Sequence, residues 1–256
     1  LNTETTIKKE RVFSLPKAMS DELFFNMVLV EAGSFEMGSN SPKARKREQP
    51  AHQVSLDNFY IGRYEVTQDL FEQIMGWNYS YFSCDKCPVN NLSWFNMQLF
   101  IERLNSATGK KFSLPTEGQW AFAAKGGNKS KGYKYSGSDD INDVAWYATN
   151  SENKSHPVGL KGANELGLYD MTGNLWEFCL DDMSRQAYKR TENHNPFMGN
   201  KESLKRKGMK VIRGGGYEFS ADENLVFMRD GATNNVRMAD IGFRLVMEVD
   251  DKTQSK

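Results

Sequence analysis

VIRGGGY, residues Val211–Tyr217, is the stretch that decides the fold of this chain of 256 residues. Apolar residues around Arg213 predict a strand, and the three glycines after it indicate close backbone approach or unusual torsion angles. No helix with a lysine follows the glycines, so the pattern does not predict a nucleotide-binding loop. The stretch is therefore interpreted as the end of a strand and a tight loop in a packed domain.

Three more signatures accompany this strand. They are LPTE at Leu114–Glu117, LYDMTGNLWE at Leu168–Glu177 and IGFRL at Ile241–Leu245. In this order the four motifs resemble the formylglycine-generating, sulfatase-modifying family, and the resemblance extends from Met27 to Val249. It implies an α+β, C-type-lectin-like domain with short helices, small antiparallel sheets and much irregular structure.

Composition limits the functions that the chain can have. With 33 basic and 33 acidic residues the formal net charge is zero, so no overall field favours binding of nucleic acid. No apolar run is long enough to span a bilayer. We expect a polar N-terminal arm at residues 1–25, one domain at 26–250 and a disordered tail at 251–256. The chain starts at Leu1, and we expect a removed leader and an extracytoplasmic location, periplasmic or lipoprotein-anchored, in bacteria.

Local patterns predict a few elements directly. Strands are expected at Met27–Val30, at a hairpin partner from Ser34 to Gly38, and along a stretch that holds Val54, Leu56 and Tyr60. Helices are expected after the caps Thr67, Ser93 and Thr116, with Gly76, Gly109 and Gly126 near their ends. Gln119 completes a capping box with Thr116. Loops, and then two or three strands, are expected after Gly126.

The family's cysteines are missing from this chain. The oxidase members hold copper(I) with two thiolates after the triple-glycine strand and use O2 to convert a sulfatase cysteine to formylglycine. The resemblance places Phe219 and Asn224 at those two positions, and Gly216 where the oxidases have a serine. A soft ion needs soft ligands, and no cysteine follows Cys179. We therefore expect no copper and no formylglycine-generating activity.

Cys84 and Cys87 have CxxC spacing, which leaves three interpretations open. They can be free thiols or a tight local disulfide in a loop, a redox pair, or half of a zinc site. No second CxxC occurs, and Cys179 with His52, His156 and His194 shows no metal-binding spacing.

A calcium ion is implied by the resemblance. Its ligands would be the side chains of Asp170 and Glu177 and the carbonyls of Gly173 and Leu175, in agreement with the preference of calcium for oxygen. The alternative is that Glu177 pairs with a buried arginine, Arg213 or Arg244, without an ion.

The first functional hypothesis is a non-catalytic, calcium-stabilised domain that binds a protein or a glycan. Its contact surface would be a terminal hollow lined by Trp176, Tyr217, Glu218, Phe219, Asn224 and Arg229, with Asp222 at the rim. The alternatives are an enzyme of oxygen-dependent sulfur chemistry and a structural component of a cell-envelope or secretion assembly. Two basic stretches, Lys43–Arg47 and Met183–Gly208, are either solvated loops or an anion-binding lip. The oligomeric state stays open.

Overall fold

A computed structural model describes residues 15–189, 193–200, 202 and 207–249. The helices are α1 (Lys17–Phe25), α2 (Gln68–Met75), α3 (Trp94–Thr108), α4 (Glu117–Ala124) and α5 (Ile141–Val144). The strands are β1 (Met27–Val30), β2 (Gly33–Met37), β3 (His52–Leu56), β4 (Phe59–Gly62), β5 (Phe112–Ser113), β6 (Trp176–Asp182), β7 (Met209–Arg213), β8 (Arg229–Thr233), β9 (Ile241–Gly242) and β10 (Val246–Glu248).

The strands form three small sheets. One has the order β1-β4-β10-β5, a second is the hairpin β2-β3, and the third has the order β8-β7-β6-β9. All pairs are antiparallel except β6 and β9, which run parallel. Short helices and long irregular segments complete the predicted α+β, C-type-lectin-like architecture.

The three predicted helix starts are confirmed. The Ser93 and Thr116 side chains accept hydrogen bonds from the backbone N–H groups of Asn96 and Gln119. Thr67 occupies the N-cap of α2, although its hydroxyl donates to Asp69 instead of accepting from the helix. Gly76 ends α2 in the left-handed region, as C-terminal glycines commonly do.

The predicted pairing of the first strands is wrong. β1 pairs with β4, whereas β2, the expected partner of β1, pairs with β3. The stretch that was expected to hold Val54, Leu56 and Tyr60 in one strand divides at 57–58, and its two halves enter different sheets. Apolar alternation identifies a strand but does not identify its partner across the sheet.

The helix α1 lies in the stretch that was expected to be a polar arm. Its only buried residue is Leu23, which joins the core beside Met27. A single buried position in a nine-residue helix leaves little periodicity to detect. Residues 1–14 and the expected tail at 251–256 lie outside the described residues, and the domain boundary stays a prediction.

β6 and β7 lie between two apolar layers. Phe178 and Ile212 face a cluster built on α2 and α3, and Cys179 and Val211 face a cluster built on α4 and the first sheet. This alternation follows from the two-residue period of a strand. None of the described helices is long and apolar enough to cross a membrane.

Candidate functional site

The glycine loop, residues 214–224, begins where β7 ends. Gly214 and Gly215 have φ angles of 98° and 77°, a region that residues with a Cβ rarely adopt. A Cβ on Gly215 would lie 2.0 Å from Asn224 Oδ1. The predicted close approach is thus confirmed, and its cause is the side chain of Asn224.

Asn224, one of the two residues at the positions that the resemblance assigns to cysteines, is fully buried. Its amide donates to the carbonyls of Phe219 and Ser220 at 3.1 and 2.8 Å. Its Oδ1 is buried and has no hydrogen-bond partner. The side chain therefore closes the loop on itself, and its donors are not available to a ligand.

Phe219, the other residue at these positions, is half-buried. Its ring contacts Trp176 edge to face, with centroids 5.5 Å apart. The Asn224 amide donates to the Phe219 carbonyl, so the two positions to which the resemblance assigns cysteines are joined by a hydrogen bond within the loop.

The three cysteines lie elsewhere in the structure. Cys84 and Cys87 form a disulfide, one of the open interpretations of the CxxC spacing. Cys179 is free and fully buried, and burial raises the pKa of its thiol well above the ordinary value. No two free thiols are therefore present in the chain.

Several residues of the expected hollow lie near one another. Trp176 and Tyr217 are buried beside the half-buried Phe219, and Glu218 is exposed at the edge. Burial, followed by the neighbouring Glu218 carboxylate, raises the pKa of Tyr217. Aromatic rings with a carboxylate at the rim can contact a partner.

Arg229 does not belong to the hollow, and its assignment there is corrected. Its guanidinium donates to both oxygens of Glu117 at 2.7 Å and lies 4.6 Å from the ring centroid of Tyr188. Arg213 contacts the same carboxylate at 3.4 Å. Burial opposes ionisation of Glu117, but the two guanidinium groups outweigh it and hold its pKa below the ordinary value. A buried carboxylate needs such partners, so Arg229 stabilises the buried Glu117 and is not available to a ligand in the hollow.

The predicted metal ligands are divided between two interactions. Glu177 binds Arg244 through both oxygens at 2.6 Å and also accepts from Trp120 Nε1 at 2.7 Å. This is the ion pair that the alternative interpretation named. Asp170 accepts from the Gly159 N–H through Oδ2, while its Oδ1 is buried without a partner.

The other two predicted ligands lie in the same turn. Gly173 has a φ of 76°, and a Cβ there would lie 2.3 Å from the Trp146 carbonyl oxygen. Leu175 donates its N–H to Glu65 at 3.2 Å. Within the described residues, no group of three or more histidines, cysteines or carboxylates is arranged to hold a metal ion.

Two buried carboxylates were missed by the sequence analysis. Glu65 accepts from Leu175 and Asn174, and burial raises its pKa well above the ordinary value. Asp181 accepts from the N–H groups of Glu117 and Met198, and burial raises its pKa to about 7. Asp181 follows three apolar residues of β6, which was a weak signal of burial, whereas Glu65 stands outside the strands in a polar stretch that gave none.

The basic loop is paired with acidic residues of the loop and strand that follow the glycines. Lys43 donates to Asp222 at 2.7 Å, and both Arg45 and Arg47 contact Asp230. Most of the charge of this stretch is thus neutralised locally, which fits a surface loop better than an anion-binding lip. The second basic stretch lies partly outside the described residues.

A cavity of about 270 Å³ lies between α1 and residues 62–70. Leu23 and Leu245 contribute apolar wall, and Arg63 and Glu65 contribute polar groups. No sequence pattern predicted this cavity, because α1 itself was not predicted.

The sequence and the fold are both similar to those of known proteins. Residues 12–249 match the model of the Sulfatase-modifying factor enzyme 1-like domain, FGE-sulfatase. The chain belongs to this family. A solved structure, Treponema denticola variable protein 1, superposes with a TM-score of 0.77 at 29% identity and covers 87% of this chain and 95% of its own.

Individual relatives carry different names. The chain is 32% identical over 207 residues to Chaperone protein LppX of Paenibacillus barcinonensis, covering 60% of this chain and 70% of that protein. It is 25% identical over 282 residues to Inactive C-alpha-formylglycine-generating enzyme 2 of Bos taurus, covering 86% and 87%. It spans only 34% of the length of the chlamydial Serine/threonine-protein kinase pkn1 of Chlamydia caviae.

Proposed function

We propose that this FGE-sulfatase domain is non-catalytic and binds a partner, a protein or a glycan, through the surface around the glycine loop. The single observation that carries the proposal is the set of contacts that Asn224 and Phe219 make within the glycine loop. Asn224 holds the loop together from inside, and Phe219 covers Trp176. The loop thus keeps a defined shape while it presents no thiolate pair for copper.

The remaining sulfurs do not replace that pair. Cys84 and Cys87 are bonded to each other, and Cys179 lies in the core with a raised pKa. A copper(I) site needs accessible thiolates. Oxygen activation of the kind used by the family's oxidases is therefore not proposed for this chain.

The names of two relatives support the proposal. The mammalian relative is named inactive, and the Paenibacillus relative is named a chaperone, a word that denotes action on other proteins. The second name favours a protein partner over a glycan.

A structural calcium ion is part of the proposal. The donor set fits a hard cation, because Asp170 Oδ1 is a buried oxygen without a hydrogen-bond partner and calcium takes carboxylate and carbonyl oxygens. The carbonyls of Gly173 and Leu175, in the same turn, would be further ligands. Glu177 would contribute a second lone pair from oxygens that already accept from Arg244. The ion would balance the second negative charge of Asp170 and Glu177, because the Arg244 guanidinium balances only one.

We also propose an extracytoplasmic location. The Cys84–Cys87 disulfide supports it, because disulfides persist in oxidising compartments and are rare in the cytosol.

The catalytic part of the proposal has a direct test. The protein is incubated with a sulfatase-type cysteine peptide, copper(I) and O2, and the peptide is analysed by mass spectrometry. We expect an unchanged thiol, while an active formylglycine-generating enzyme in parallel converts it. Copper-dependent conversion to the aldehyde would show that this chain is an enzyme.

A further inference from the structure

An aromatic patch lies on the surface beside the terminal hollow. Its members are apolar residues with a large exposed fraction: Tyr79 49%, Tyr81 70%, Phe82 47%, Val236 46% and Met238 39%. Asn91 connects the two segments, since it donates to the Tyr79 carbonyl and to the Met238 carbonyl. Exposed apolar groups gathered in this way are typical of interaction sites.

Two buried polar residues hold the aromatic patch in place. Gln68 donates to the Phe82 carbonyl and accepts from Asn78 and from the Cys84 N–H. Asn90 accepts from the Tyr81 N–H at 3.0 Å, and its own N–H donates to Ser80. Each of these two side chains is 2% exposed. Burying an amide costs free energy unless it is hydrogen-bonded, and the bonds that both side chains make to the loop fix the loop in one shape.

The disulfide restrains the end of the same loop. Cys84 lies two residues after Phe82 and is bonded to Cys87, whose carbonyl accepts from the Gln68 N–H. The CxxC motif therefore belongs to the bracing of the patch. A loop that is ordered before it meets its partner loses less entropy on binding.

The rim of the patch beside the hollow is acidic. Glu218 is exposed beside the hollow, and Asp240 follows Met238 of the patch by two residues. On the other side Arg237 lies 4.8 Å from the ring centroid of Tyr79. Two carboxylates next to exposed apolar groups complement a basic residue in a partner.

The patch has the wrong chemistry for a sugar. Tyr79 already carries Arg237 over its ring and contacts Trp77 at 4.7 Å, and Tyr81 meets Phe82 edge to face. The amides of Asn78 and Asn91 are engaged in bracing the loop. Free amides, which hydroxyl-rich ligands require, are thus scarce in the patch, whereas exposed aliphatic and ring carbon is abundant.

We propose that the aromatic patch docks a segment of another protein that combines apolar side chains with lysine or arginine. This inference rests on the proposed binding function and extends it from the terminal hollow to a specific partner class. Apolar side chains would pack on Tyr81 and Phe82, while the basic residue would approach Glu218 and Asp240. Aromatic residues are frequent energetic centres of such interfaces.

The test selects peptides from a random-sequence library on the immobilised protein and measures their affinity in solution. We expect enriched peptides to combine apolar and basic residues. The double variant Tyr81→Ser, Phe82→Ser should weaken them at least about tenfold, with an unchanged melting temperature because both side chains are exposed. Leu160→Ser removes an equally exposed apolar residue elsewhere and should leave the affinity unchanged.

Three results would overturn the inference. These are acidic or purely polar enriched peptides, peptides that bind the double variant as tightly as the wild type, and no enrichment at all. Glycan-array binding that the double variant abolishes would replace the protein partner with a sugar. If Phe219→Ala abolishes peptide binding while the double variant does not, the proposed function survives and the patch does not. Failure of the proposed non-catalytic function would be seen in a different experiment, the incubation with copper(I) and O2, as conversion of the peptide thiol to an aldehyde.

Discussion

At the scale of single residues, Phe219 and Asn224 stand where the resemblance places the cysteines of the oxidases, and Asn224 has a structural role there. Asn224 fills the space over Gly215 and satisfies two loop carbonyls. A buried amide that donates to two carbonyls constrains the backbone more than an apolar side chain of the same size would. Asn224 therefore holds the glycine loop in one shape.

The substitution Asn224→Ala tests this role. It removes both hydrogen bonds of the Asn224 amide and leaves a gap over Gly215, so we expect a loss of about 1–3 kcal/mol in the free energy of unfolding. Urea denaturation measures the loss. The control is Asp222→Ala, two residues before Asn224. This side chain is exposed and pairs with Lys43 on the surface, so its removal should change stability by less than about 1 kcal/mol. Equal effects of the two variants would contradict the role of Asn224.

Arg244 is the second residue whose removal is informative. It binds Glu177 through two hydrogen bonds and also donates to the carbonyls of Gly62 and Tyr169. Arg244→Met leaves Glu177 buried without its cation, and we expect a loss of about 3–5 kcal/mol in the free energy of unfolding.

The control for Arg244 is Lys111→Met, which breaks an exposed ion pair with Glu248 at 3.7 Å. This change should have no measurable effect on urea denaturation. A small effect of Arg244→Met would mean that Glu177 is held mainly by another partner.

At the scale of elements, the turn from Leu168 to Glu177 concentrates buried carboxylates. Burial raises the pKa of Asp170 from 3.8 to about 6 and that of Glu65 well above its ordinary value. The folded state therefore binds protons that the unfolded state releases. Stability from these groups is highest below pH 4 and falls as the pH rises through the folded pKa values.

Asp170→Asn tests the turn without and with calcium. At about 1.4 kcal/mol per pKa unit, the raised pKa of Asp170 destabilises the calcium-free fold by about 3 kcal/mol above pH 7. With a chelator, the variant should melt higher than the wild type above pH 7 and equally at pH 4. With excess calcium the wild type should gain more than the variant. A wild-type melting temperature that calcium does not change would remove the ion from the proposal.

The elements that the sequence predicts well are those with local chemical signals. The capping residues Ser93 and Thr116 and the C-terminal Gly76 identify their helices without tertiary information. The partner of β1 depends on contacts between distant strands, and no short pattern encodes it. α1 is held by one buried leucine, so its helical period is hidden in the sequence.

At the scale of the whole molecule, a rigid centre carries irregular loops. β6 and β7 lie between two apolar clusters, and two buried arginine–carboxylate groups, Arg229 with Glu117 and Arg244 with Glu177, hold the loops to that centre. The terminal hollow and the aromatic patch adjoin each other on this frame. Such an arrangement is suited to recognition.

The sequence predicted the candidate site only in part. The absence of cysteine after the triple-glycine strand is read directly from the sequence, and the assignment of Phe219 and Asn224 to the family's cysteine positions stays a prediction. The placement of Arg229 could not be predicted, because an arginine near a motif can point to solvent or to a buried carboxylate, and only the position of Glu117 decides. The aromatic patch joins residues from 79–82 and 236–238, which no motif connects.

The measurement that tests the central claim most directly is a copper(I) titration against a competing chelator. It compares the wild type with the double variant Phe219→Cys, Asn224→Cys. Because these two positions are adjacent in the loop, the variant should take up one copper(I) ion through the restored thiolates, and the wild type should take up none. Wild-type copper binding as tight as that of the variant would contradict the account.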